Sequence, residues 1–157
     1  MSKTTPATAF LDHNHIEYEF ITYQYDPHAD RVGMQAAEAV GADPETVFKT
    51  LMVSVDGKPH VAVLPSDQEA NMKKLAAAFG GKHAEMLSVE EAEKLTGYKV
   101  GGISPFGQRR HLPTVFEKTA ELFDKIYING GGRGFQVKMR SKDAIDVISA
   151  KVADFKR

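Results

Sequence analysis

The run Thr50-Leu51-Met52-Val53-Ser54-Val55-Asp56-Gly57-Lys58-Pro59-His60-Val61-Ala62-Val63-Leu64 decides the fold class. Thr50 to Val55 reads as an apolar strand and His60 to Leu64 as the strand returning from it. Asp56-Gly57 between two apolar runs is a hairpin signal, because a two-residue loop needs a positive φ that few other residues tolerate. A sheet is therefore seeded at the centre of the chain, and helical patterns flank it on both sides.

Towards the N-terminus, Thr5-Pro6 forms an N-cap and first-turn pair ahead of Ala7, Phe10 and Leu11, which predicts a helix over about 5–14. Tyr18, Phe20 and Thr22 alternate as in a strand. Asp26-Pro27 stops it, since the residue before proline resists helical geometry. Ala36 to Val40 makes a short helix ended by Gly41, and Asp43-Pro44 opens a helical turn. Lys49 then stands at the start of the apolar strand.

Towards the C-terminus, Met72, Leu75, Ala76 and Phe79 share one helical face within 71–79. Ser88 with Glu91 is a capping-box pattern opening a helix to about Leu95, and Gly97 ends it. Val115-Phe116, Lys125 to Ile128 and Phe135 to Met139 read as strands. Ser141 caps a helix to Ile148, and Val152 with Phe155 forms a final edge strand. Strands in hairpins, separated by short helices, define a mixed α/β (α+β) fold in one domain over 1–157.

Composition narrows the chemistry. The 157 residues suffice for a core that buries about 70% of the unfolded surface. A formal charge of -1 excludes nucleic-acid binding through bulk positive charge, though not through a local basic face. No cysteine is present, so disulfides, thiolate-bound metal and a protein thiol nucleophile are excluded. No apolar leader or membrane-length run is visible, which sets a cytoplasmic expectation with no membrane partner. His13, His15, His28, His60, His83 and His111 show no chelating spacing, so no metal and no cofactor are expected.

Two glycine-rich segments stand out. Gly101-Gly102-Ile103-Ser104-Pro105 is a loop but not a nucleophile elbow. Asn129-Gly130-Gly131-Gly132-Arg133-Gly134 joins two strands and reads first as a tight turn, second as an amide cradle for a phosphate. Lys49 is either a solvated strand-start charge or a cation at a pocket mouth. Gln108-Arg109-Arg110-His111, Lys73-Lys74, Arg133, Lys138 and Arg140 supply positive positions suited to phosphates.

Together, Phe48-Lys49-Thr50-Leu51, Thr96-Gly97-Tyr98, the 101–105 loop with Gly107-Gln108, and Ile126-Tyr127 before the glycine turn resemble the YbaK branch of the YbaK/prolyl-tRNA-synthetase-associated editing domain family. The resemblance extends through Thr22-Tyr23 and Asp26-Pro27 over nearly the whole chain. It implies a mixed, largely antiparallel sheet and hydrolysis of mischarged aminoacyl-tRNA, typically Cys-tRNA(Pro), beside prolyl-tRNA synthetase. It makes Lys49 the catalytic residue, and gives substrate binding to Tyr23, Gly101, Gly102, Ile103, Ser104, Pro105, Asn129, Gly131 and Gln136. Arg109 and Arg110 would steer tRNA phosphates.

The same resemblance implies substrate assistance, the cysteinyl thiol attacking its own carbonyl. Such a reaction needs no nucleophile from the protein. The family pattern carries serine at Asn129 and aspartate at Gln136; both substitutions keep hydrogen bonding and the second loses a charge. The alternative class is a non-catalytic module that binds aminoacyl-tRNA or a synthetase.

Overall fold

A computed structural model describes residues 4–28 and 32–157. The chain runs α1 (Pro6–His13), β1 (Tyr18–Thr22), α2 (Val32–Val40), β2 (Val47–Val55), β3 (Lys58–Pro65), α3 (Met72–Ala78), β4 (Ala84–Met86), α4 (Val89–Thr96), β5 (Thr114–Glu117), β6 (Lys125–Asn129), β7 (Phe135–Arg140), α5 (Ser141–Val147) and β8 (Lys151–Ala153). Two 3-10 turns, Pro44–Thr46 and Lys118–Leu122, precede β2 and follow β5. The strands form one mixed sheet in the order β1-β7-β6-β2-β3-β5-β8, with β4 added beside β2.

The central hairpin forms as its turn chemistry predicts. Asp56 has φ 50° and Gly57 φ 83°, the mirror-image turn whose twist suits antiparallel strands. Val55 then pairs with Lys58 and the register continues to Phe48 opposite Pro65. Antiparallel contacts also join β1 to β7, β6 to β7 and β2 to β4. Parallel contacts join β2 to β6, β3 to β5 and β5 to β8.

Side-chain alternation divides the core between the sheet's two faces. Phe48, Met52, Phe106, Phe116, Ile128 and Val137 pack with Ala7 and Leu11 of α1. Val53, Val55 and Leu64 pack with Leu75 and Ala76 of α3 and with Phe155. Ala36 and Ala37 of α2 lie on Val47.

The structure departs from the sequence expectations in four places. β2 begins three residues early, because Val47 and Phe48 pair with Tyr127 and Ile128; Lys49 therefore lies inside the strand. β4 is only Ala84-Glu85-Met86, too short for its alternation to mark a strand, and it exists through its pairing with Val53, Ser54 and Val55. Ser141 does not cap α5: Arg140 occupies the cap position with no side-chain bond, and Ser141 Oγ donates to the Phe123 carbonyl at 2.6 Å. Phe155 lies beyond β8 and is fully buried rather than part of the edge strand.

Phe106→Ala, which empties a fully buried ring site, should cost about 3–5 kcal/mol in urea unfolding. Leu122→Ser, at a side chain 75% exposed, should change stability by less than about 0.5 kcal/mol.

Candidate functional site

β2 is shared unequally on the side away from β3. β6 pairs only with Val47 and Phe48, and β4 only with Val53, Ser54 and Val55. Lys49, Thr50, Leu51 and Met52 thus have no strand neighbour there, and a loop contact from Leu87 N–H to the Met52 carbonyl closes the far end. The two-residue turn makes alternate residues from Val55 the bonded partners of β3, so Thr50 turns its main-chain polar groups to this open edge.

A cavity of about 280 Å³ occupies the opening. Val47, Phe48, Lys49, Thr50, Leu51 and Met52 all line it, so both faces of the strand contribute. Tyr23, Tyr25 and Ala36 close one side, and Leu87, Ala92 and Ile103 another. Gly101, Asn129 and Gln136 complete the wall. Met86 and Val89, 52% and 59% exposed, form an apolar rim with Val100.

Lys49 is the one charged residue among the described lining. It is half-buried, and its ammonium makes no hydrogen bond or ion pair among the described residues. Burial pushes its ammonium below the ordinary lysine value; the fields of Glu69 and Asp67 oppose that only in part. An unpaired cation held away from water costs free energy, and such groups concentrate at functional sites. Two further polar atoms at the cavity, the buried Thr50 Oγ1 and Gln136 Oε1, have no partner among the described residues. Burial also raises the Tyr23 phenol, with Tyr25 adding to it, while the Gly134 main chain and the Gln136 side chain pull it down.

The two glycine-rich segments are packed on each other. A Cβ on Gly102 would fall 2.6 Å from the Arg133 nitrogen, so only glycine permits this approach. Asn129 braces the pair. Its Oδ1 accepts from Gly131 N–H at 2.7 Å and Gly132 N–H at 3.1 Å. Its Nδ2 donates to the carbonyls of Gly132 at 3.1 Å and Gly101 at 3.4 Å. All four bonds of the amide are spent within the protein. Gly130 N–H donates to the Phe135 carbonyl, and Thr5 Oγ1 donates to the Gly130 carbonyl. With three of its amides committed inward, the turn reads as structural rather than as an open phosphate cradle.

In the 101–105 loop, Gly102 N–H is committed to the Lys99 carbonyl. Gly101 and Ile103 N–H make no hydrogen bond among the described residues, and both residues line the cavity. Ser104 is fully buried; its Oγ accepts from Phe106 N–H and its carbonyl from Gln108 Nε2. Ser104, Pro105, Gly102 and Gly131 are not among the lining residues. Neither are Arg109 and Arg110. Arg109 lies over Gly97, and its Nη1 approaches the Lys94 carbonyl at 3.5 Å, where a cation suits the end of α4.

The structure thus brings Lys49, Tyr23, Gly101, Ile103, Asn129 and Gln136 around one cavity. Sequence reading missed Thr50, Tyr25 and the Met86–Val89–Val100 rim. Thr50 follows Lys49 directly, and a polar residue beside that lysine in a mostly apolar strand was its one visible signal. Among the described residues, no three His, Asp or Glu side chains gather in a way that could hold a metal.

Residues 26–147 match the aminoacyl-tRNA editing domain family, and the chain belongs to that family. It is 36% identical over 140 residues to an Enterococcus faecalis protein named "Putative Cys-tRNA(Pro)/Cys-tRNA(Cys) deacylase EbsC", covering 88% of this chain and 82% of that one. It is 28% identical over 154 residues to the Escherichia coli K12 "Multifunctional Ser/Thr-tRNA deacylase ProXp-y", covering 95% and 90%. A solved structure described as a "putative trans-editing enzyme for prolyl tRNA synthetase" shares the fold, with TM-score 0.82, 22% identity and 99% of both chains covered.

Because folding lowers the Lys49 value, the unfolded state binds more protons between the folded value and 10.5, and stability rises with pH across that window. Below it the buried ammonium is a standing cost. Lys49→Met should therefore be at least as resistant to urea as the parent at pH 7, with the difference narrowing above the folded value. Asn129→Ala, which abandons four hydrogen bonds, should lose about 1–3 kcal/mol in the same assay.

Proposed function

We propose that the chain is a trans-acting aminoacyl-tRNA deacylase that hydrolyses mischarged tRNA, with Cys-tRNA(Pro) as its first substrate. One observation carries this reading: Lys49, Gly101 and Ile103 wall the same small cavity, with the two loop N–H groups uncommitted among the described residues. The family and the names of the two relatives support the ester chemistry.

An acylated 3′ terminus enters past the apolar rim. The Lys49 ammonium places the terminal nucleoside and ester, gaining strength from its dry surroundings. The two loop amides face the carbonyl oxygen, where negative charge builds in the transition state. Tyr23 and Gln136 bound the side-chain space. For a cysteinyl ester, the thiol sulfur forms a bond to the carbonyl carbon as the bond to the ribose oxygen breaks. The thiol proton passes to the departing hydroxyl, and water then opens the thiolactone. Positioning supplies most of the acceleration, so the cavity needs no nucleophile of its own.

Small side chains differ in binding by only about 1–3 kcal/mol, which is why a second, hydrolytic site is useful. Prolyl-tRNA synthetase is the fitting partner: with a net charge of -1, affinity for free tRNA is weak, and a carrier raises the effective concentration.

Purified protein incubated with tRNA(Pro) charged with cysteine, serine, threonine or alanine should release cysteine fastest. Lys49→Ala should slow release by about 10²–10³-fold, the cost of removing one preorganised transition-state contact. Ester that survives while the tRNA stays bound would instead select the non-catalytic module; fastest release of serine or threonine would reassign the substrate.

A further inference from the structure

Arg133 stands at the cavity mouth with most of its hydrogen-bonding capacity unused. Its Nε donates to the Val100 carbonyl at 2.9 Å. Its guanidinium carbon lies 5.6 Å from the centroid of the Tyr25 ring. Val100 and Tyr25 both line the cavity, so these two contacts pin the guanidinium to its rim. A Cβ on Gly101 would come within 3.3 Å of that Nε, which places the side chain across the loop containing the uncommitted amides.

Arg133 has no carboxylate partner among the described residues. One of its five N–H donors is spent, and the remaining four belong to the fork that matches two oxygens of a phosphate. Two other basic groups are placed differently. Arg109 folds onto the end of α4, and the Lys138 ammonium lies 5.4 Å from the Tyr127 ring centroid. The cavity volume fits an acylated nucleoside rather than a longer piece of chain. The next group outward along such a chain is its phosphodiester.

We propose that Arg133 forms the subsite for this phosphodiester, the link between the acylated terminal nucleoside and the nucleotide before it. The inference rests on the functional reading above, and it moves the principal phosphate contact from Arg109 and Arg110 to Arg133. Held by Val100 and Tyr25, the guanidinium needs little ordering when the anion arrives, so its charge acts mainly on binding.

The test measures equilibrium binding of the dinucleotide CpA and of its neutral methylphosphonate analogue by NMR titration. Wild type should favour the charged form by about tenfold, the lower end for a charge-assisted contact. Arg133→Ala should bind both forms equally, with unchanged affinity for the neutral one. Its affinity for CpA should also depend less on salt than that of the wild type. Arg109→Ala should keep the wild-type preference.

An Arg133→Ala protein that still prefers the charged form would overturn the subsite. So would equal loss on both ligands, which marks a purely structural role through the Val100 contact. Hydrolysis of 3′-cysteinyl-CpA, read in parallel, keeps the two claims apart. Charge preference that depends on Arg133 without any ester cleavage would contradict the deacylase and leave the subsite standing.

Discussion

The Lys49 ammonium is half out of water with no ion-pair partner among the described residues, and the surrounding structure depends on that position being tolerated. A free lysine side chain would normally swing into solvent. Here its backbone is locked in the middle of β2, bonded to β3 opposite Leu64 and flanked by the buried Val47, Phe48, Met52 and Val53. The cost is spread over the whole hairpin, whose apolar side chains reach both halves of the core. A fold that carries such an expense has a stable sheet to set against it, and a partly desolvated cation gains most when an anion or a polarised carbonyl arrives.

The opening beside Lys49 is a consequence of sheet topology. Two short neighbours, β6 and β4, cover the ends of β2 and leave its middle bare. Glycine then allows two chain segments to close over the gap at backbone distance, and Asn129 fastens them with all of its hydrogen-bonding capacity. That leaves no Asn129 amide group for a ligand, whereas the buried Gln136 Oε1 has no partner among the described residues.

Much of the fold was legible wherever a local rule and the tertiary fold agreed. The Asp56-Gly57 turn, the Thr5 and Ser88 caps and the glycine turn between β6 and β7 are short-range features, and each forms where the residues place it. β4 was illegible because its strand geometry comes from β2 rather than from its own pattern. The early start of β2 was hidden for the same reason, since its first two residues find their partner about eighty positions later. At the site, residue types marked Lys49, Tyr23 and Gly101. Which members of the 101–105 loop face the cavity and which are spent on internal bonds depends on packing, as the burial of Ser104 shows. Arg109, beside the loop in sequence, turned out to serve the end of α4, while the distant Arg133 reaches the mouth.

The most direct measurement follows the protein by NMR while a non-hydrolysable 3′-aminoacylamido-adenosine is added. The account predicts that the Lys49 Nζ resonance and the Gly101 and Ile103 amides shift together in a single saturable process. Saturable binding that moves other residues and leaves these three resonances in place would contradict it.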